Sequence, residues 1–183
     1  MDLDKVYYFN LKASFGDLSE TQVNDILKDG RAASRFLEHQ LVVWFPNLKY
    51  VDQAGYDHID ENGNKYDAKC WTDHGCTFRE SVMIGRGTDA IDRQRILEHA
   101  SGVTYILCDI TQFPRVRVIF KDGKELAERW PRGQISKGPR NTDKVFSNNL
   151  NEFLQVVAAV SLIHFSYFLG LLDLSRWLSM GYV

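Results

Sequence analysis

Gly55-Tyr56-Asp57-His58-Ile59-Asp60-Glu61-Asn62-Gly63-Asn64-Lys65-Tyr66-Asp67-Ala68-Lys69 is the stretch from which the rest of this chain can be read. Glu61-Asn62-Gly63 is a strong hairpin turn, and residues 49–59 and 65–72 on either side of it carry strand signals. Side chains alternate along a strand, so Asp67 and Lys69, two apart, point to one face. Where Asp57 points depends on the turn. A two-residue Asn62-Gly63 loop pairs Asp57 with Ala68 and turns it to the other face. A three-residue loop with Gly63 left-handed pairs Asp57 with Asp67, and this is the form we expect. Cross-strand neighbours then stand about 5 Å apart at Cβ.

Working outward, residues 5–15 read as a short strand or an apolar arm. Ser19 stands three residues before Gln22, a capping box that opens a helix near 20–29, which Gly30 can end. A second helix follows at about 31–44 and stops before Pro46. Beyond the hairpin, residues 77–84 read as a third strand of the meander and 89–100 as a helix. The apolar run 103–110 reads as a buried strand, and 116–120 as another, ended by Asp122-Gly123. A short helix can follow at 124–129. Pro131, Gly133, Gly138 and Pro139 make 131–143 a loop. The fold class is therefore α/β, a mixed sheet flanked by helices.

Two carboxylates facing each other across a hairpin repel, and a divalent cation relieves that. Oxygen donors are hard and suit Mg²⁺, which keeps several waters and binds through one or two carboxylates. A neighbouring lysine can orient or deprotonate an attacking water and stabilise developing negative charge, while the metal polarises a phosphoryl oxygen and helps generate hydroxide. In outline this is a site for phosphodiester hydrolysis. A bland alternative stands beside it: Asp57, Asp67 and Lys69 as a solvated salt-bridge cluster worth about 0–1 kcal/mol.

Asp57, nine intervening residues, then Asp67-Ala68-Lys69 resembles the PD-(D/E)XK nuclease motif. The order helix, three strands, helix, strand agrees with the core of that superfamily. The pattern Gly-x-Asp-x-x-Asp-x-x-Gly-x-x-Tyr-x-x-Lys over 55–69 is similar to the small PvuII-like type II restriction endonucleases. The resemblance covers about residues 31–120. It implies a restriction-endonuclease-like core, with Asp57, Asp67 and the Ala68 carbonyl as Mg²⁺ ligands (Mn²⁺ as a substitute) and Lys69 as the catalytic lysine. Many members add a helix acid before the first strand, and Glu38 matches by position. The chain departs from the pattern at Tyr56, where proline is usual, and at Asp67, where glutamate is commoner.

Other residues carry weaker patterns. Cys70, His74 and Cys76 lie close together, but no paired Cys-x-x-Cys supports a zinc site. His58 adjoins Asp57 and points to the opposite face, which suits a structural role. Residues 112–144 hold nine Lys/Arg against four acids, a local excess of +5 in a chain of net charge −2. Arg79, Arg86, Arg93, Arg132, Lys137 and Arg140 are the candidates for holding DNA phosphates or reading base edges, with Arg95 a further one.

Length and composition set the frame. At 183 residues, 44% hydrophobic and 25% charged, the chain reads as one folded domain and not as a disordered or fibrous protein. We read a core at 31–120, a basic loop region at 121–147 and a C-terminal helix at 148–180. Three cysteines argue against a disulfide framework, and no secretory signal is evident, so a cytoplasmic location is expected. Residues 153–172 pass without a charge, which suits a long apolar helix in a core or dimer interface, with a membrane tail as the minor alternative. The expected function is Mg²⁺-dependent cleavage of double-stranded DNA, as in a type II site-specific deoxyribonuclease acting as a homodimer. A structure-specific nuclease for junctions or repair is the second reading. A non-enzymatic DNA-binding or membrane-tethered module is the third.

Overall fold

In the computed structural model, which describes residues 1–80 and 92–146, the elements in chain order are β1 (Val6–Asn10), α1 (Glu20–Leu27), α2 (Gly30–Trp44), β2 (Leu48–Gln53), β3 (Tyr56–Asp60), β4 (Lys65–Trp71), β5 (Cys76–Thr77), α3 (Arg93–Ala100), β6 (Thr104–Gln112), β7 (Arg115–Asp122), α4 (Gly123–Arg129), β8 (Gln134–Ile135) and α5 (Pro139–Phe146).

The β3–β4 hairpin has the three-residue loop. Asp60 and Asn64 close it through a 3.1 Å backbone hydrogen bond, and Gly63 is left-handed at φ +78°. The Asp60 carboxylate locks the turn, accepting from the Asn62 and Asn64 backbone N–H groups at 2.9 Å each and from the Tyr66 hydroxyl at 3.0 Å. Its pKa is lowered, chiefly by the Asn64 side-chain hydrogen bond. The register is His58 opposite Tyr66 and Ile59 opposite Lys65, which carried one step further sets Asp57 opposite Asp67.

Six strands form one sheet in the order β1-β7-β6-β4-β3-β2. β4 and β6 run parallel, with Asp67 beside Tyr105 and Lys69 beside Leu107, and every other neighbour is antiparallel. A parallel pair needs a crossover, and α3 lies in that connection. The architecture is thus α/β, a mixed sheet with helices on both faces.

Side-chain alternation divides the core. On one face Tyr66 and Ala68 of β4 meet Leu37 and Leu41 of α2 and Val23 and Leu27 of α1. On the other, Trp71 of β4 and Leu107 of β6 meet Ile96 and Ala100 of α3 and Leu126 of α4. The helices start on side chains that cap them. Ser19 and Gln22 form a capping box on α1, and Asp29, Asp92 and Asp122 cap α2, α3 and α4.

The structure corrects the sequence reading in several places. Residues 49–59 are two strands, because the chain reverses at Ala54-Gly55, where Gly55 has φ +92° and Gln53 pairs with Tyr56. The three-strand meander is consequently β2, β3 and β4. Of the strand expected at 77–84, residues 81–84 lie outside the described residues; the described part holds the end of β5, which pairs with β8 in a separate two-stranded sheet. Gly30 does not end α1 but opens α2, where a Cβ would lie 2.8 Å from Thr72 Cγ2. Among the described residues the region from 121 to 146 is not all loop, since β7 ends in it and α4, β8 and α5 follow; Pro139 starts a helix, its fixed φ suiting a first turn.

Arg86 and the 153–172 apolar segment, with the helix expected over 148–180, lie outside the described residues. Among the described residues no helix is long and apolar enough to cross a membrane.

Candidate active site

The ladder between β3 and β4 holds at His58 and Ile59, and beyond it Asp57 replaces a backbone acceptor. The Ala68 N–H donates to Asp57 Oδ2 at 2.9 Å. This bond ties the first acid to the strand that carries the second. Asp67 is 4% exposed. Lys69 reaches back along its own strand and donates from Nζ to Asp67 Oδ1 at 2.5 Å.

Burial is the main force on this pair. It pushes the Asp67 carboxyl up to about 7, opposed by the Lys69 charge and reinforced by the nearby Asp57 carboxylate. Burial also acts to lower the Lys69 pKa, but the charges of Asp67 and Asp57 outweigh it and the ammonium is held above its usual range. The two directions describe different pH ranges. Below about 7 Asp67 keeps a proton, and above it an ionised Asp67 keeps the proton on Lys69.

These three side chains line a cleft of about 430 Å³. The turn at 52–56 forms its rim, and Glu80, Arg95 and His99 form its far wall. Arg95 Nε donates to Glu80 Oε2 at 2.6 Å. His99 packs directly on Gly55, where a Cβ would come within 2.9 Å of the imidazole Cε1. Sequence reasoning missed Glu80 and His99. The one sign of them in the sequence is that Arg95 and His99 are spaced i,i+4 beside the buried stripe of Ile96 and Ala100, so one flank of α3 carries both.

The donor set suits a hard cation. Asp57 and Asp67 offer carboxylate oxygens on one face of the hairpin, and the buried Asp67 beside a second carboxylate calls for a proton or a cation. Among the described residues no group of three or more His, Cys, Asp or Glu side chains is placed to hold a metal. The three cysteines are free thiols, and burial pushes Cys70 and Cys76 up to about 12.

Glu38 does not join the cleft. α2 packs on the Tyr66 and Ala68 face of β4, whereas Asp67 and Lys69 project from the other. The Glu38 carboxylate accepts from Ser34 Oγ at 2.9 Å and from Arg35 Nη1 at 3.3 Å. His58 is fully buried and bonds through Nε2 to the Glu38 carbonyl at 2.8 Å, a structural position.

The basic candidates scatter. Arg93, Arg132 and Arg140 are exposed and make no ion pair among the described residues. Lys137 is paired with Asp73, and Arg79 is half-buried with its backbone beside Gly133. Much of the local excess over 112–144 is taken up by acids outside it: Arg117 by Asp109, Lys121 by Asp4 and Lys137 by Asp73.

Comparisons with protein-family models, with curated proteins and with solved structures found no match.

Proposed function

We propose that this chain is a Mg²⁺-dependent DNA endonuclease with a restriction-endonuclease-like core, acting on double-stranded DNA as a type II site-specific enzyme. The observation that carries the reading is the Asp57, Asp67 and Lys69 constellation in one cleft on the β3–β4 hairpin. With the short β5 of the separate sheet set aside, the order α2, β2, β3, β4, α3, β6 supports it, since the motif resemblance implies helix, three strands, helix, strand.

Asp57, Asp67 and the Ala68 carbonyl would hold the ion. Bound there, Mg²⁺ or Mn²⁺ supplies Lewis acidity toward a phosphoryl oxygen and acidifies a water. Lys69, which keeps its proton, donates hydrogen bonds to the attacking water or to a non-bridging phosphoryl oxygen. Water adds to phosphorus in line and the bond to O3′ breaks, leaving 5′-phosphate and 3′-hydroxyl ends. One cleft cuts one strand, so cutting both strands at a palindrome calls for a two-fold homodimer. Arg93, Arg132 and Arg140, exposed and without ion-pair partners among the described residues, are the side chains best able to reach phosphates.

The test is incubation with unmethylated phage DNA and with a four-way junction, in Mg²⁺ or in EDTA. Discrete Mg²⁺-dependent bands from the phage DNA support the site-specific reading. Cutting of the junction alone supports a structure-specific nuclease. Intact DNA throughout refutes both and leaves a non-enzymatic module.

A further inference from the structure

The proposed chemistry needs a group to take the proton of the attacking water, and most groups lining the cleft are committed. Asp57 accepts the Ala68 N–H, and Asp67 accepts from Lys69. Lys69 holds its proton against those two carboxylates and cannot take another. Glu80 is bound to Arg95, and Asp52 accepts from Arg35 Nη2 at 2.9 Å. Tyr56 offers a phenol rather than a basic nitrogen or carboxylate, and the Lys65 ammonium lies over its ring at 5.0 Å. His99 remains. Among the described residues its imidazole makes no hydrogen bond and no ion pair, yet it is seated against Gly55 in the same cleft as Asp57, Asp67 and Lys69.

We propose that His99 is the general base of this cleft, a catalytic residue that accepts the proton of the attacking water. The inference rests on the nuclease reading and adds a residue outside the Asp57–Asp67–Lys69 motif. In the step, a water oxygen bonds to phosphorus, the bond from phosphorus to O3′ breaks, and the water proton passes to an unprotonated imidazole nitrogen. O3′ takes a proton from solvent, and the imidazolium returns its proton to solvent. No oxidant or reductant is involved.

The surroundings favour the basic form. Burial lowers the His99 pKa, Glu80 opposes that, and the charges of Lys69 and Arg95 lower it further. The imidazole is therefore unprotonated near neutral pH, as a base must be. Asp57, Asp67 and Asp52 complete the charged groups lining the cleft.

The test compares wild type with His99→Ala, His99→Gln and Lys69→Ala on one cleavable duplex. His99→Ala is expected to lose about 10²-fold or more in kcat with little change in KM, the usual weight of a general base. Added imidazole should restore part of the rate, in proportion to its free-base fraction. In EDTA, NMR titration should place the His99 pKa below that of a free histidine and move it upward in Lys69→Ala. If His99→Ala misfolds, the near-isosteric His99→Gln and the NMR titration still decide. A kcat close to wild type, or a raised KM with no imidazole rescue, overturns the inference while Lys69→Ala is dead. If Lys69→Ala cleaves as well as wild type, the nuclease site itself is wrong, a different failure.

Discussion

Replacing Asp67 by asparagine removes a buried carboxylate while keeping its shape, and the structure sets what that does to stability. Folding moves the Asp67 carboxyl from about 3.8 to about 7, chiefly through burial. At 1.36 kcal/mol per pKa unit, that is roughly 4 kcal/mol of destabilisation once the group is ionised. The sign follows from proton counting. Between pH 4 and pH 7 the folded state holds a proton that the unfolded state has released, so wild-type stability falls as pH rises through that window. Above about 7 both states are ionised and the penalty is complete. The Asp67→Asn variant has no such titration. Near pH 4 the folded wild type already carries Asp67 protonated, so the neutral asparagine replaces a neutral carboxyl and the variant starts close to wild type. Its stability relative to wild type should then improve by about 2–4 kcal/mol between pH 4 and pH 8. The assay is urea unfolding in EDTA at pH 4, 5.5, 7 and 8. Saturating Mg²⁺ at pH 8 should stabilise wild type, by about 2.7 kcal/mol at one hundred times Kd, and leave the variant unmoved. A gap between the two proteins that stays flat with pH would refute the buried-carboxylate argument.

Three further substitutions probe the frame around the site. Glu38→Gln should leave cleavage unchanged and cost about 1 kcal/mol in a thermal melt, because its carboxylate serves Ser34 and Arg35 on the other face of the sheet. Gly75→Ala should cost about 3 kcal/mol in chemical unfolding, since a Cβ there lies 2.0 Å from the Ile135 carbonyl oxygen and the backbone is left-handed at φ +89°. Leu37→Ala, at a side chain 1% exposed between α2 and the sheet, should lower stability by about 2–5 kcal/mol without altering the Mg²⁺ dependence of cleavage.

The hairpin was legible because its information is local. Asn62-Gly63 demands a turn, and period-two alternation then sets which residues share a face. The capping box at Ser19 and the buried run of β6 were legible for the same reason. The turn at Ala54-Gly55 was not, because a single glycine between two apolar-polar stretches carries no Asn-Gly or Pro to mark the reversal. Pro139 reads as a breaker in sequence but starts α5, a matter of position within the element. Glu38 shows the limit of positional matching. It sits on the helix the motif resemblance points to, but only the packing of α2 decides which face of the sheet it serves. His99 and Glu80 meet Lys69 across elements separated in sequence, and no local pattern carries that encounter.

The central claim is that Asp57, Asp67 and Lys69 act together on a phosphodiester, and single-turnover cleavage of a DNA substrate tests it most directly. Wild type, Asp57→Asn and Lys69→Ala would be compared in Mg²⁺, with circular dichroism confirming that each is folded. The account predicts Mg²⁺-dependent cleavage by wild type, with 5′-phosphate ends, and loss of cleavage in both variants. Cleavage by Lys69→Ala at the wild-type rate, or cleavage by wild type in EDTA, would contradict it.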